Sequence, residues 1–193
     1  LRPACVGYTT GSCDIGVNRC QQYHSLNEQG IVEPSIDLGF SAEGEVDRTL
    51  LVARFDDALT GAPIAFFTNY AVHCVAGFMN DCGAGKSFLG GDIGGEVSRT
   101  LEREYPGSVA LWTSAPAGDV NPVQMIQTNY PDPVTGAPIQ RCIKGEDAAE
   151  TNVLAMAGRQ LASIRECLRR LACTIDRAEI RGRVAWAETR CSR

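Results

Sequence analysis

The chain has 193 residues, of which 44% are hydrophobic and 21% are charged, and its formal net charge is −5. This length and composition are typical of one globular domain with a buried core. The negative net charge argues against an extended nucleic-acid-binding surface. No apolar run approaches the ~20 residues that a transmembrane helix needs.

The first part of the chain, residues 1–46, is rich in Gly, Ser, Thr and Cys and shows little periodicity, so it is predicted to be irregular. Two strands follow, over residues 48–56 and 63–72. The turn signals at residues 57–61 join these strands into a hairpin.

The second half of the chain alternates helix and strand signals. A helix is predicted to start with Asp92 as its N-cap, and an apolar strand over residues 108–114 has the composition of a strand in the middle of a sheet. A long amphipathic helix is predicted over residues 146–172, with a terminal strand over 174–188. The predicted fold class is therefore α/β, a mixed sheet flanked by helices, in a single domain.

Nine cysteines are many for a cytosolic protein, yet no two of them have the C-x-x-C spacing of a zinc finger. The count fits a few disulfides in an exported protein, and it also fits reduced, buried thiols in a cytosolic one. The cysteines alone leave the compartment open.

His73 stands at the predicted end of the second strand and is one of two histidines in the chain. A histidine at a strand end is more often a structural hydrogen-bonding group than a metal ligand. Asn69 before it and Asp92 after it add an amide and a carboxylate, and imidazole with carboxylate is a ligand set that suits zinc. The adjacent Cys74 is a further candidate nucleophile, although a buried, inert cysteine is the commoner case.

Asp119 follows the apolar strand in the segment Ala-Gly-Asp-Val-Asn-Pro. The small residues Ala117 and Gly118 allow a ligand to approach the backbone closely, and Pro122 fixes the direction in which the chain leaves. The alternative interpretation is an Asx-type turn, in which Asp119 caps its own backbone.

A glycine-rich segment over residues 83–87 (GAGKS) looks like a phosphate-binding loop but departs from that motif. Asn80 occupies the position of its first glycine, and more loop follows where a helix should begin. Without that helix N-terminus the loop lacks the aligned N–H donors of an anion site, so no nucleotide binding is predicted.

In order and spacing, these segments resemble the central part of the catalytic domain of the neutral ceramidase family. The resemblance covers about residues 14–125, with a motif-bearing core at 47–125. It rests on Asn18-Arg19, the D…L-x-V-x-x-F-D…G-x-P-I-A hairpin of residues 47–65, N-Y-x-x-H ending at His73, Asp92 with Gly95, and G-D-V-N-P at residues 118–122.

Members of that family are zinc-dependent amidases that hydrolyse the N-acyl bond of ceramide. The resemblance implies zinc as cofactor and a small-molecule or lipid N-acyl substrate. Together with the cysteine count it favours an exported or cell-surface protein slightly over a cytoplasmic one, so the compartment stays open. The implied roles are a zinc ligand in His73, catalytic groups in Asp92, Asp119 and Asn121, and substrate-binding groups in Arg19, Asn69 and Gly118. Asp92 and Asp119 would orient ligands or handle protons, and Asn121 would stabilise an oxyanion.

Two departures from the family pattern matter. Asn121 stands where ceramidases have a serine, which places the chain closer to a branch carrying G-D-I/V-N-P. The family's other zinc ligands, in an upstream H-T-H-S-G-P segment and as a downstream Glu and Tyr, have no match here. We therefore expect an internal piece or one chain of a larger enzyme, inactive until a missing segment or second chain supplies ligands. The alternative is a non-catalytic binding or assembly domain.

Overall fold

The computed structural model describes the backbone of residues 3–26, 32–41, 44–77, 90–123, 127–131, 138–140 and 148–176. The strands and helices in these segments are, in chain order, β1 (Ala4–Ser12), β2 (Gly16–Leu26), β3 (Val32–Ser41), β4 (Thr49–Asp57), β5 (Pro63–Tyr70), α1 (Asp92–Glu104), β6 (Val109–Ser114), β7 (Val120–Pro122), β8 (Gln127–Pro131), β9 (Pro138–Gln140) and α2 (Ala148–Arg170).

The largest sheet has four strands in the order β1-β4-β5-β6. β4 runs antiparallel to β1 and β5, whereas β5 and β6 are parallel and are connected through α1. A three-stranded sheet has the order β3-β2-β7, and β8 pairs with β9. The predicted α/β class, a mixed sheet flanked by helices, is confirmed.

The prediction that residues 1–46 are irregular is wrong, because this segment contributes β1, β2 and β3. β1 pairs with β4, which lies far along the chain, and its glycines serve packing rather than turns. A Cβ on Gly7 would lie 2.2 Å from the carbonyl oxygen of Ala172, and one on Gly11 would lie 2.5 Å from Sγ of Cys167. These glycines let α2 and the residues after it lie directly on the strand.

The predicted hairpin is confirmed as β4 and β5. Its turn is stabilised by Asp57, whose Oδ1 accepts hydrogen bonds from the N–H groups of Leu59 (2.9 Å) and Thr60 (3.1 Å). Gly61 completes the turn in the left-handed region, with φ of 71°.

The prediction of a central position for the apolar strand at 108–114 is wrong. Among the described strands, β6 lies at an edge of the four-stranded sheet. Its side chains alternate, so that Ala110 and Trp112 pack against the core while Val109 and Leu111 remain 64% and 56% exposed on the opposite face. Four consecutive apolar residues, at 109–112, therefore did not indicate burial on both faces.

Both predicted helices are present. α1 begins at Asp92, but Gly91 is its N-cap, so the prediction of Asp92 as the cap is wrong by one residue. α2 lies within the segment 146–172 that was predicted to be an amphipathic helix. The apolar stripe of the described side chains in this segment is buried, namely Val153, Ala157, Leu161, Ile164, Leu168 and Leu171.

The core lies between the helices and one face of the four-stranded sheet. Its largest fully buried side chains include Tyr70, Phe66, Ile93 and Met156. Trp112 on β6 donates its indole N–H to Oε1 of Gln160 on α2 at 2.9 Å, which fixes the helix to the sheet. Of the two helices that the structure describes, neither is long and apolar enough to cross a bilayer.

Of the strand predicted over residues 174–188, the structure describes residues 174–176. Ile175 forms a β-bridge to Val6, on the side of β1 opposite to β4. Residues 177–193 lie outside the described residues, as does the glycine-rich segment at 83–87.

Candidate functional site

The candidate site lies at the carboxyl ends of β5 and β6, where parallel strands end at the same edge of the sheet. The two chain segments that leave these strands are bonded to each other. Ala115 N–H donates to the carbonyl of Tyr70 at 3.0 Å, and Ser114 Oγ donates to the carbonyl of Val72 at 3.3 Å. The polar residues that follow each strand are thus held side by side.

The short strand β7 joins this edge to the second sheet. His73 N–H donates to the carbonyl of Val120 at 3.0 Å, and β7 pairs with β2 through Val17 and Asn121. Gly16 is required at this junction, because a Cβ there would lie 2.6 Å from Cγ1 of Val120. The segments carrying His73, Asp119 and Arg19, which are far apart in sequence, therefore meet at β7.

Arg19 and Asp119 are held together by backbone and side-chain bonds. The N–H of Arg19 donates to the carbonyl of Asp119 at 2.7 Å, and its Nε donates to the carbonyl of Gly118 at 3.0 Å. Oδ2 of Asp119 accepts a hydrogen bond from Nδ2 of Asn18 at 2.9 Å. This carboxylate oxygen bonds across to β2, unlike the turn-capping carboxylate of the Asx interpretation.

The side chain of His73 is half-buried, while its backbone is fixed to Val120. Its imidazole makes no hydrogen bond with any residue that the structure describes. Cys74, the next residue, is open to solvent on one side, and desolvation by the surrounding atoms, together with the charge of Asp92, raises the pKa of its thiol. A raised pKa disfavours the thiolate, and this argues against Cys74 as a nucleophile.

Asp92 anchors the loop that follows His73. Its carboxylate accepts hydrogen bonds from the N–H groups of Ala76 (3.1 Å), Gly77 (2.8 Å) and Ile93 (2.8 Å). Its φ of 51° is in the left-handed region, which Asp tolerates better than most residues. The residue therefore orients the loop and the start of α1.

The two candidate amide side chains, those of Asn69 and Asn121, occupy different positions. Nδ2 of Asn69 donates to Oγ1 of Thr113 on the neighbouring strand at 2.9 Å, and no bond links it to Arg19 or Asp119 in the described structure. Asn121 is 9% exposed, and its Oδ1 is buried and accepts no hydrogen bond from the residues that the structure describes. A buried acceptor without a partner is costly, so its presence at this edge is unusual for a purely structural residue.

Asn18 is the residue that sequence reasoning did not assign to the site. It bonds both to Asp119 and, through Nδ2, to the carbonyl of Glu45 at 3.1 Å. Its position next to Arg19 was the available signal, but its partner is 101 residues away along the chain. Only the pairing of β2 with β7 shows that the two residues meet.

The side chains of the site can be compared with the ligands that a zinc ion requires. Within the described residues, no three His, Cys, Asp or Glu side chains are grouped closely enough to hold a metal ion. The open imidazole of His73 fits the role of one ligand, whereas the carboxylate of Asp92 is already bonded to three N–H groups. His73 is therefore the candidate ligand in the described part of the site.

No protein-family model matches the chain, and no curated protein matches its sequence. Two solved structures do match. The neutral ceramidase from Pseudomonas aeruginosa matches with a TM-score of 0.57 and 20% identity, and a ceramidase complexed with C2 matches with a TM-score of 0.56 and 18% identity. The fold is ceramidase-like.

Each ceramidase comparison covers 88% of this chain but 23% of the ceramidase chain, so this chain spans about a quarter of those proteins' length. At such identities the likeness establishes the ceramidase-like fold. It does not distinguish the branch with Asn121 from the branch with serine, which remains a hypothesis from sequence.

Proposed function

We propose that this chain forms part of the active site of a ceramidase-like hydrolase that cleaves an amide or ester bond with the help of zinc. The observation that carries the proposal is His73, whose backbone is fixed to β7 while its imidazole has no hydrogen-bond partner in the described structure. A ligand histidine needs a ring nitrogen that no other group occupies, and a fixed backbone limits the positions that this nitrogen can reach.

Bound zinc would supply polarisation of the substrate carbonyl and a lowered pKa for a bound water. The chain's own residues would position the reacting groups. Asp92 holds the loop after His73 through the N–H groups of Ala76 and Gly77. Asp119, held by Asn18, is the carboxylate that we propose to orient a ligand or transfer a proton.

Substrate contacts are proposed for Arg19, Asn69 and Gly118, and stabilisation of a developing oxyanion for Asn121. Gly118 suits a close approach, because a Cβ at this position would have no atom within 4 Å. An amide can donate a hydrogen bond to an oxyanion, but it cannot act as the nucleophile that a serine provides. We therefore place bond cleavage on an activated water.

A catalytic zinc site usually has three protein ligands, and the described residues supply one. The remaining ligands would come from residues outside the described segments or from a further segment or chain. We propose a small-molecule or lipid N-acyl substrate and, from the cysteine count and the ceramidase likeness, an exported or cell-surface setting.

A second candidate is a non-catalytic binding or assembly domain with the same fold. Asn121 in place of serine and the absence of a three-donor group in the described residues favour it. The half-buried carboxylate of Asp119 at a strand end argues against it, because a binding or assembly domain needs no ionisable group there beyond the stability that the bond to Asn18 contributes.

Hydrolysis of fluorogenic N-acyl amides and esters, measured with added zinc, tests the proposal. The chain, together with the segment or partner chain that supplies the remaining zinc ligands, should hydrolyse at least one substrate. His73→Ala should abolish this hydrolysis. His24→Ala, the other histidine, is the matched control and should retain it. Binding of N-acyl substrates without hydrolysis, unaffected by His73→Ala, would favour the non-catalytic domain.

A further inference from the structure

Two partly buried cysteines lie on the same face of the four-stranded sheet, at the amino-terminal end of β1. Cys5 is the β1 partner of Asp56 on β4, and paired residues of an antiparallel ladder point to the same face. This is the face on which α2 lies, because Gly7 and Gly11, two and six residues further along β1, are covered by Ala172 and Cys167.

Cys173 reaches the same place from the end of α2. Its Sγ donates to the carbonyl of Arg54 at 3.3 Å, and Arg54 forms an ion pair with Asp56 at 2.9 Å. Burial and the neighbouring Asp56 carboxylate raise the pKa of the Cys173 thiol. Asp56 is thus the common neighbour of both cysteines, opposite Cys5 in the ladder and beside Cys173 after the helix.

The backbone around Cys173 is fixed in this position. Val6 N–H donates to the carbonyl of Ile175 at 2.9 Å, and Ile175 N–H donates back to Val6 at 3.1 Å. Gly7, which has no side chain, leaves the space over β1 to the backbone of Ala172. The segment after α2 therefore lies along β1, next to Cys5.

We propose that Cys5 and Cys173 form a disulfide when the protein is exposed to an oxidising thiol pool, and that this bond ties the end of α2 to β1. A disulfide carries no charge, whereas a Cys173 thiolate would lie beside the buried carboxylate of Asp56, whose Oδ1 accepts no hydrogen bond from the described residues. Both cysteines carry free thiols in the described structure.

The oxidant is a small-molecule disulfide such as oxidised glutathione. The thiolate of one cysteine attacks a sulfur of this molecule, which forms a mixed disulfide and releases one small thiol. The second thiolate then attacks the protein sulfur of the mixed disulfide and releases the other small thiol. Two protein thiols are oxidised, one external disulfide is reduced, and the two protons leave with the released thiols.

Cys13 and Cys167 are the contrasting pair within the same sheet–helix interface. Both are buried, with 2% and 1% of their surface exposed, and burial raises the pKa of Cys13 to about 11. An external disulfide does not readily reach a thiol that solvent does not reach, so such a thiol exchanges slowly. These two cysteines should therefore remain reduced while Cys5 and Cys173 react.

The test is a non-reducing tryptic map of the full chain after incubation with oxidised glutathione. Cys173 is the one cysteine of the tryptic peptide 171–177, whereas peptide 1–19 contains both Cys5 and Cys13, so fragmentation must assign the linked sulfur. We expect a 1–19/171–177 cross-link through Cys5 and a melting temperature about 10 °C above that of the reduced protein.

Cys5→Ser and Cys173→Ser should each abolish the cross-link and the melting shift, while Cys74→Ser, which removes the exposed thiol outside this pair, should preserve both. The proposal is overturned if peptide 171–177 is recovered unlinked from the oxidised protein. It is also overturned if Cys173 is linked to a cysteine other than Cys5.

Discussion

The backbone N–H of His73 donates to the carbonyl of Val120 at 3.0 Å, and this bond joins the end of β5 to β7. Because β7 is also paired with β2, one short strand holds together three segments that are distant in sequence. The candidate ligand His73, the carboxylate of Asp119 and the guanidinium of Arg19 all depend on this junction for their positions.

The bond between Asn18 and Asp119 should be energetically significant, because it is partly buried and one partner is a carboxylate. We expect Asn18→Ala and Asp119→Ala to be coupled by about 1 kcal/mol in the free energy of unfolding. A double-mutant cycle in urea measures this coupling and separates it from the other bonds of Asn18. Additive effects of the two substitutions would show that the contact does not stabilise the fold.

The stability of the fold should fall more when Asp92 is replaced by alanine than when it is replaced by asparagine. Asp92→Ala removes the acceptor for Gly77 N–H and places alanine at a φ of 51°, so we expect a loss of about 2–3 kcal/mol. Asp92→Asn keeps one oxygen acceptor and tolerates the left-handed region, and should cost about half as much. Chemical denaturation of both variants measures the difference, and equal stabilities would contradict the anchoring role.

Gly11 and Gly158 should respond in opposite directions to alanine. A Cβ on Gly11 would lie 2.5 Å from Sγ of buried Cys167, so Gly11→Ala should destabilise the fold by about 1–3 kcal/mol. Gly158 lies exposed in α2 with no atom within 4 Å of its Cβ position, and Gly158→Ala should stabilise by about 0.5–1 kcal/mol. Thermal unfolding distinguishes the two, and a neutral Gly11→Ala would refute close packing of α2 on β1.

Burial of Cys13 predicts a loss of stability at alkaline pH. Its pKa rises from 9.0 to about 11 in the folded chain, mainly because burial disfavours the thiolate. The unfolded chain therefore releases this proton first, and the contribution of Cys13 to stability, complete below pH 9, is lost between pH 9 and 11.

The size of this contribution is about 2 kcal/mol. The free energy of unfolding of the wild type, measured from pH 8 to pH 11, should fall more steeply than that of Cys13→Ala by the equivalent of one proton. Parallel profiles for the two proteins would mean that Cys13 is not buried as described.

The sequence predicted those parts of the fold that depend on local patterns. The hairpin of β4 and β5, the helix after Asp92 and the apolar stripe of α2 all follow from turn residues and periodicity. β1 was missed because Gly7 and Gly11 resemble loop glycines until α2 is seen against them. The edge position of β6 was missed because an apolar strand is compatible with one covered face as well as two.

The candidate site, like the fold, could be predicted only where local sequence patterns determine it. Strand-end residues such as His73 and Asp119 could be selected from sequence, since chemistry in α/β folds concentrates there. Their connection through β7, and the bond from Asn18 to Asp119, depend on long-range strand pairing that no local pattern encodes. For the same reason, Asp92 could be identified as important, but its use as a loop anchor could not.

Zinc content measured by mass spectrometry tests the central claim most directly. The samples are the native purified protein, with any further segment or chain that completes its site, and its His73→Ala and His24→Ala variants. The proposed function predicts about one zinc per chain in the wild type and in His24→Ala, and its loss in His73→Ala. Equal zinc content in His73→Ala and the wild type, or no zinc in any of the three proteins, would contradict the assignment of His73 as a zinc ligand.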